Sequence, residues 1–142
     1  MRFSSLLLAL LPAALAVNIA IQVGVDDNLT FTPVQTTANI GDTLTFTFVS
    51  KNHSVTTTTF SGHVCPPPNG GVGPNGWDSG FMPVLNPGDP ELTFVYTVVD
   101  TAPHFASCKQ DGGTHCRSGM TFALNPTADM TWDEFIINAI ES

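Results

Sequence analysis

Four stretches of this chain alternate apolar and polar residues with a period of two, and no other feature limits its possible folds as much. In NIAIQVGV, Ile19, Ile21, Val23 and Val25 fall on one face. In TLTFTFV, Leu44, Phe46 and Phe48 oppose Thr43, Thr45 and Thr47. ELTFVYTVV puts Leu92, Phe94, Tyr96 and Val98 together, and MTFAL does the same for Met120, Phe122 and Leu124. Successive strand residues point to opposite sides, so each stretch is predicted as a strand with one buried face. Gly41-Asp42 and Pro87-Gly88-Asp89 are turn signals, and residues 65–80, CPPPNGGVGPNGWDSG, hold too much Pro and Gly for regular structure. A long surface loop is expected there. Strands at short intervals with no helical stretch between them predict an all-β fold, a β-sandwich or a small barrel. The end, TWDEFIINAIES, departs from the pattern. Trp132, Ile136 and Ile140 recur every four residues, which predicts a short amphipathic helix starting near Thr131.

The first residues, MRFSSLLLALLPAALA, carry one basic residue, an apolar run and the triplet Ala14-Leu15-Ala16. That is the pattern of a secretory signal peptide cut after Ala16. The apolar run is shorter than the ~20 residues a bilayer span takes, so no transmembrane segment is expected. The expected organisation is a signal peptide over 1–16, one β domain over 17–127 and a helical extension over 128–142. Beyond Ala16 the only Lys and Arg residues are Lys51, Lys109 and Arg117, against 12 Asp and Glu. A chain this acidic lacks the basic surface that phosphate binding needs, which excludes a nucleic-acid role. Its end is charged and only briefly apolar, with no lipid-anchor signal. A secreted monomer is expected, released or held by contacts at the cell wall.

The chain has three cysteines, Cys65, Cys108 and Cys116. In an oxidising compartment two of them pair and one thiol is left over. CKQDGGTHCRSGM, residues 108–120, places two of the cysteines beside His115 and Met120. With His53 they supply two imidazoles, a thiolate and a thioether, the donor set of one type 1 copper ion. The soft thiolate suits Cu(I), the imidazoles suit Cu(II), and a weak axial Met tunes the balance. Cys108 is expected to end one strand and Met120 to begin the next, with His53 at the end of a strand running through TLTFTFVSKNH. Cys116 follows His115 directly, so its side chain is expected to point away from the metal, where it can pair with Cys65. That bridge closes a loop of roughly 50 residues, worth ~4 kcal/mol in the chain-entropy model. The alternative pairing, Cys65 with Cys108, leaves Cys116 free and destroys the copper site. His104 lies four residues from Cys108 on an extended segment spanning ~13 Å, too far to share the ion. His63 is expected in solvent and Met82 in packing. Asn28-Leu29-Thr30 and Asn52-His53-Ser54 are glycosylation sequons. Asn28, near a turn, is the expected acceptor. Asn52 or Ser54 is expected instead to hydrogen-bond across the metal site.

SKNHSVT, WDSGFMPV and the C…HC…GM block followed by FALNP resemble the cupredoxin family over roughly residues 18–126. The likeness is to its phytocyanin-like branch, in the small secreted form common in fungi. The resemblance implies a Greek-key β-sandwich, copper on His53, Cys108, His115 and Met120, and a disulfide between Cys65 and Cys116. Family members typically carry C-x4-H-C-x3-M. Here the first interval is C-x6-H, and the two added residues fall in the Gly-rich DGGT, expected to bulge outward. The residues before the Cys, usually large aromatics, are HFAS.

The expected function is one-electron transfer by a mononuclear copper protein, with an unknown redox partner. No enzyme is expected. With four histidines the chain is too poor in imidazole for a multicopper oxidase or a copper–zinc dismutase, and it has no C-x2-C pair for a zinc finger. The competing expectation is an extracellular, wall-associated binding module of the same fold, in which copper is absent, structural or merely sequestered.

Overall fold

A computed structural model describes residues 14–142. The expected signal peptide, apart from its last three residues, lies outside them. Ten strands are described: β1 Asn18–Val23, β2 Phe31–Thr32, β3 Gln35–Thr36, β4 Thr43–Phe48, β5 Lys51–His53, β6 Thr56–Thr58, β7 Met82–Val84, β8 Leu92–Thr97, β9 His104–Ser107 and β10 Thr121–Leu124. Two helices accompany them, α1 Thr114–Arg117 and α2 Trp132–Ile140.

The strands form a Greek-key β-sandwich. One sheet has the order β2-β1-β4-β8 and the other β3-β10-β9-β6, so the chain crosses repeatedly between layers. In the first sheet β1 runs parallel to β4, with Ile21 opposite Phe46, and β4 runs antiparallel to β8, with Phe46 opposite Phe94. Alternation decides which side is buried: along β4, Leu44, Phe46 and Phe48 are buried and the threonines half-exposed. Across the gap the second sheet contributes Ala106, Phe122 and Leu124. The Phe46 and Phe122 rings meet edge to face at 5.3 Å. Each such fully buried Phe or Leu stabilises the fold by about 1.5–3 kcal/mol. Met120 and Cys108 belong to this same core, at the edge where β9 ends and β10 begins.

The second sheet is covered on both faces. Every residue of β10 is buried, because α2 lies over the side that MTFAL alone leaves polar or small. Phe105, Ala123, Phe135 and Ala139 form a second apolar cluster there with Val64 and the cysteines Cys65 and Cys116. The Phe105 and Phe135 rings stand 4.8 Å apart. The helix begins where expected, with Thr131 capping it by accepting from Glu134 N–H. Its buried stripe is different, however. Phe135 and Ala139 face the sheet, while Ile140 is 53% exposed and Ile136 only half-buried. In FIINAI almost every position is apolar, so spacing alone does not select the face. The small Ala139 admits close approach to the sheet, and Phe105 offers a ring for Phe135.

One further expectation is corrected and another made specific. TLTFTFVSKNH is not one strand: β4 stops at Phe48, Lys51 takes a left-handed φ of 56°, and β5 leaves the first sheet to pair with β7. The DGGT insertion does project outward, with Asp111, Gly112 and Thr114 exposed, but as a tight turn over Gln110–Gly113 that leads directly into α1.

Candidate metal centre

The metal-site geometry begins at the end of β5. His53 is fully buried there, opposite Met82 across the β5–β7 pair. Gly24 lets it in. At φ +83° this residue lies so close that a Cβ on it would come within 2.9 Å of His53 Nε2 and 2.7 Å of Ser50 Oγ. Cys108 stands one residue past β9, fully buried, and is the free cysteine. His115 projects from α1 with its side chain 12% exposed. Asp111 and Gly112 (φ 53° and 60°) and Gly113 (φ 93°) make the tight turn that presents it. Met120 is buried one residue before β10. Its N–H donates to His115 O at 3.1 Å, and its carbonyl accepts from Cys108 N–H at 3.3 Å, so its backbone ties both neighbouring ligand candidates.

The donor atoms of His53, Cys108 and His115 converge. His53 Nδ1 and His115 Nδ1 are 3.2 Å apart, and Cys108 Sγ is 3.8 Å from the first and 3.6 Å from the second. A single point in their plane lies roughly 2 Å from all three, close to the metal–nitrogen and metal–sulfur lengths of about 2.0–2.1 and 2.3 Å known for zinc. Two imidazole nitrogens turned toward each other and a thiol need a proton or a cation among them. The residues present therefore fit a thiolate-binding metal ion. Among the described residues this is the cluster of His, Cys and carboxylate groups with such convergence.

The electrostatics keep the imidazoles in their ligating form. Burial, with smaller contributions from His115 and Lys51, pushes His53 down to about 4. Burial also lowers His115, against the opposing charge of Asp111. Cys108 is raised by burial, although N–H groups of Ser54 and Gln110 work to lower it. The thiol is thus held neutral by burial, and a bound metal cation would displace its proton and hold the sulfur as thiolate.

Neighbouring groups brace the ligands. Ser54 N–H donates to Cys108 Sγ at 3.4 Å, and Ser54 Oγ accepts from Lys109 N–H at 3.0 Å. Asn52 Nδ2 donates to Gln110 Oε1 at 3.2 Å. Cys65 and Cys116 form a disulfide that ties the Pro-rich loop to α1, the pairing implied by the resemblance. The remaining candidates lie elsewhere. His104 is held by Asp100 at 2.8 Å and packs against Trp77, His63 is exposed, and Asn28 is exposed after the 3-10 turn at Val25–Asp27. Sequence reading missed Asp78 and Lys109, which pair at 2.7 Å beside the site. One signal was available: Asp78 is the only carboxylate between Asp42 and Asp89.

No family model matches the sequence, and no curated protein matches it. The fold does have solved counterparts. It is similar to auracyanin B, with a TM-score of 0.53 and 14% identity over 82% of this chain and 93% of that one. It is similar also to a mutant plastocyanin of fern, with a TM-score of 0.50 and 19% identity over 74% of this chain and 96% of that one. Likeness at this identity shows a shared β-sandwich.

Proposed function

We propose that the chain is a secreted one-electron carrier of the cupredoxin kind, holding one type 1 copper ion on His53, Cys108 and His115 with Met120 as the weak axial ligand. The observation that carries this reading is the convergence of one free, buried thiol and two imidazoles within 3.8 Å. Copper bound by such donors takes up and releases single electrons between Cu(I) and Cu(II). The chain supplies a donor geometry that neither oxidation state has to build. His53 is wedged against Gly24, Cys108 is anchored by Ser54 and Met120, and α1 is stapled to the Pro-rich loop. His115, the partly exposed ligand, is where an electron enters or leaves. The plastocyanin it resembles in fold is described in oxidised and reduced forms, which supports the reading. The leader-like start and the disulfide support an extracellular location. Asn28 is exposed and able to carry a glycan. Among the described residues no helix is long and apolar enough to cross a membrane.

The test is optical and EPR spectroscopy of the full chain loaded with Cu(II). The expected result is an intense thiolate-to-copper band in the visible that vanishes in Cys108→Ser. A folded protein that stays colourless with excess Cu(II) overturns the carrier and favours the wall-associated module.

A further inference from the structure

Beside the ligands, four side chains close a ring of hydrogen bonds that starts and ends at Lys109. Lys109 N–H donates to Ser54 Oγ at 3.0 Å, Ser54 Oγ stands 3.0 Å from Thr56 Oγ1, and Thr56 Oγ1 donates to Asp78 Oδ1 at 2.9 Å. The other carboxylate oxygen, Oδ2, accepts from Lys109 Nζ at 2.7 Å. Gly80 N–H adds a bond to Oδ1 at 2.9 Å and Gly70 N–H one to Oδ2 at 2.8 Å. The Asp78 and Lys109 side chains are 13% and 11% exposed, and the Lys109 ammonium lies 5.4 Å from the centre of the Phe81 ring. Thr56 pairs with Ser107 on β9 and bridges to Asp78, so the ring joins β6, the Pro-rich loop and the segment 108–120 between β9 and β10, the ligand loop.

Resting on the copper reading above, we infer that Asp78 is a positioning residue of the metal centre, acting through this ring on the hydrogen bond that Ser54 gives to the Cys108 sulfur. The reason is polarity. An ionised carboxylate only accepts hydrogen bonds, so the Thr56 hydroxyl must donate to it. Thr56 Oγ1 then accepts from Ser54, and Ser54 Oγ is left free to accept from Lys109 N–H. That one charge sets the direction of both hydroxyl bonds, Thr56 to Asp78 and Ser54 to Thr56. It thereby holds the segment whose N–H points at Cys108 Sγ 3.4 Å away. Hydrogen bonding to the cysteine sulfur tunes the potential of such a centre. It draws electron density from the thiolate and favours the reduced ion.

Asp78→Asn keeps the shape and breaks the polarity. With its amide NH2 toward Gly70 and Lys109, donor meets donor. Flipped, the NH2 meets the Gly80 N–H and makes Thr56 accept, so the Thr56 hydroxyl turns to donate to Ser54 Oγ and the Ser54 hydroxyl loses its acceptor in the ring. Thr56→Val breaks the ring at another point, and Thr56→Ser keeps it. In the metal-free full chain, amide hydrogen exchange at Ser54 and Lys109 is expected to quicken by about tenfold or more in Asp78→Asn and Thr56→Val. Exchange in Thr56→Ser and at β1 amides in every variant is expected to match the parent. In the copper-loaded chain, the two ring-breaking variants are expected to show a displaced thiolate–copper band and a lower potential, with Thr56→Ser restoring both. Parent-like exchange at Ser54 and Lys109 in folded Thr56→Val overturns the inference, whether or not Asp78→Asn folds. So do a parent-like band and potential in that variant. A parent chain without a thiolate–copper band overturns the copper reading and with it the role in tuning, while the exchange result still decides whether Asp78 orders the ring.

Discussion

At the scale of single residues, the site depends as much on what is missing as on what is present. Gly24 has no side chain, and the space a Cβ would take belongs to His53 and Ser50. Its φ of +83° adds a backbone cost for any L side chain. Gly24→Ala is expected to lose about 1–3 kcal/mol of stability and to shift His53 away from the other donors. Equilibrium denaturation with copper titration checks it: stability and copper affinity should fall together, whereas alanine at the open Gly88, where nothing lies within 4 Å, should leave affinity alone. The convergence of His53, Cys108 and His115 was legible because chemistry names the donors. Cys108, His115 and Met120 lie within thirteen residues, and the donor types then call for a second imidazole. Gly24 and Asp78 were not legible. Gly24 acts on Ser50 and His53, and Asp78 on Thr56 and Lys109, all more than twenty residues away, and an isolated carboxylate does not name such partners.

Secondary-structure elements show where periodicity informs and where it fails. The strands β1, β4 and β8 lie where alternation puts them: threonines separate the apolar residues of β4, Ala20 and Gln22 those of β1, and Thr93 and Val95 those of β8. In α2 the apolar residues are nearly continuous, so the start was readable from its cap and the face was not. The two possible stripes differ in a measurable way. Phe135→Ala is expected to cost about 3–5 kcal/mol, because it empties the space against Phe105 and Ala123. Ile140→Ala, at a position 53% exposed, is expected to change stability by no more than about 0.5 kcal/mol. Urea denaturation of the two variants decides between them, and a larger loss for Ile140→Ala would mean the helix docks by the other face. The ligand loop follows the same lesson. Its two added residues looked like slack, but consecutive left-handed positions turned that length into a tight turn that aims His115.

On the scale of the whole molecule, a few carboxylates tie together segments that are distant in sequence. Asp42 accepts N–H bonds from Val17 and Asn39 and joins the start of β1 to the turn before β4. Asp100 holds His104 and Asn75. Asp78 links the Pro-rich loop to the ligand loop. These contacts give the metal-free protein a definite response to acid. Burial by itself raises the Asp78 carboxyl, but Lys109, the charged group facing it, with Gly70, Gly80 and Thr56, outweighs burial and holds it at about 2. An unfolded Asp titrates near ~3.9, so the native state binds fewer protons between these values. The stabilisation is therefore present in full above about pH 4 and is lost as the pH falls toward 2, about 1–2 kcal/mol after allowance for solvent screening. Lowered carboxyls at Asp42 and Asp100 steepen the same limb. Overall charge works the other way. A chain with a formal charge of −8 at neutral pH first loses self-repulsion as it is acidified, so a fall in stability points to specific pairs. Asp78→Asn is expected to be less stable than the parent at pH 6 and to lose less between pH 4 and 2, so that the two stability curves draw together at the acid end. Denaturant midpoints across that range measure it. Parallel curves would mean that the Asp78–Lys109 pair contributes no net stability to the fold.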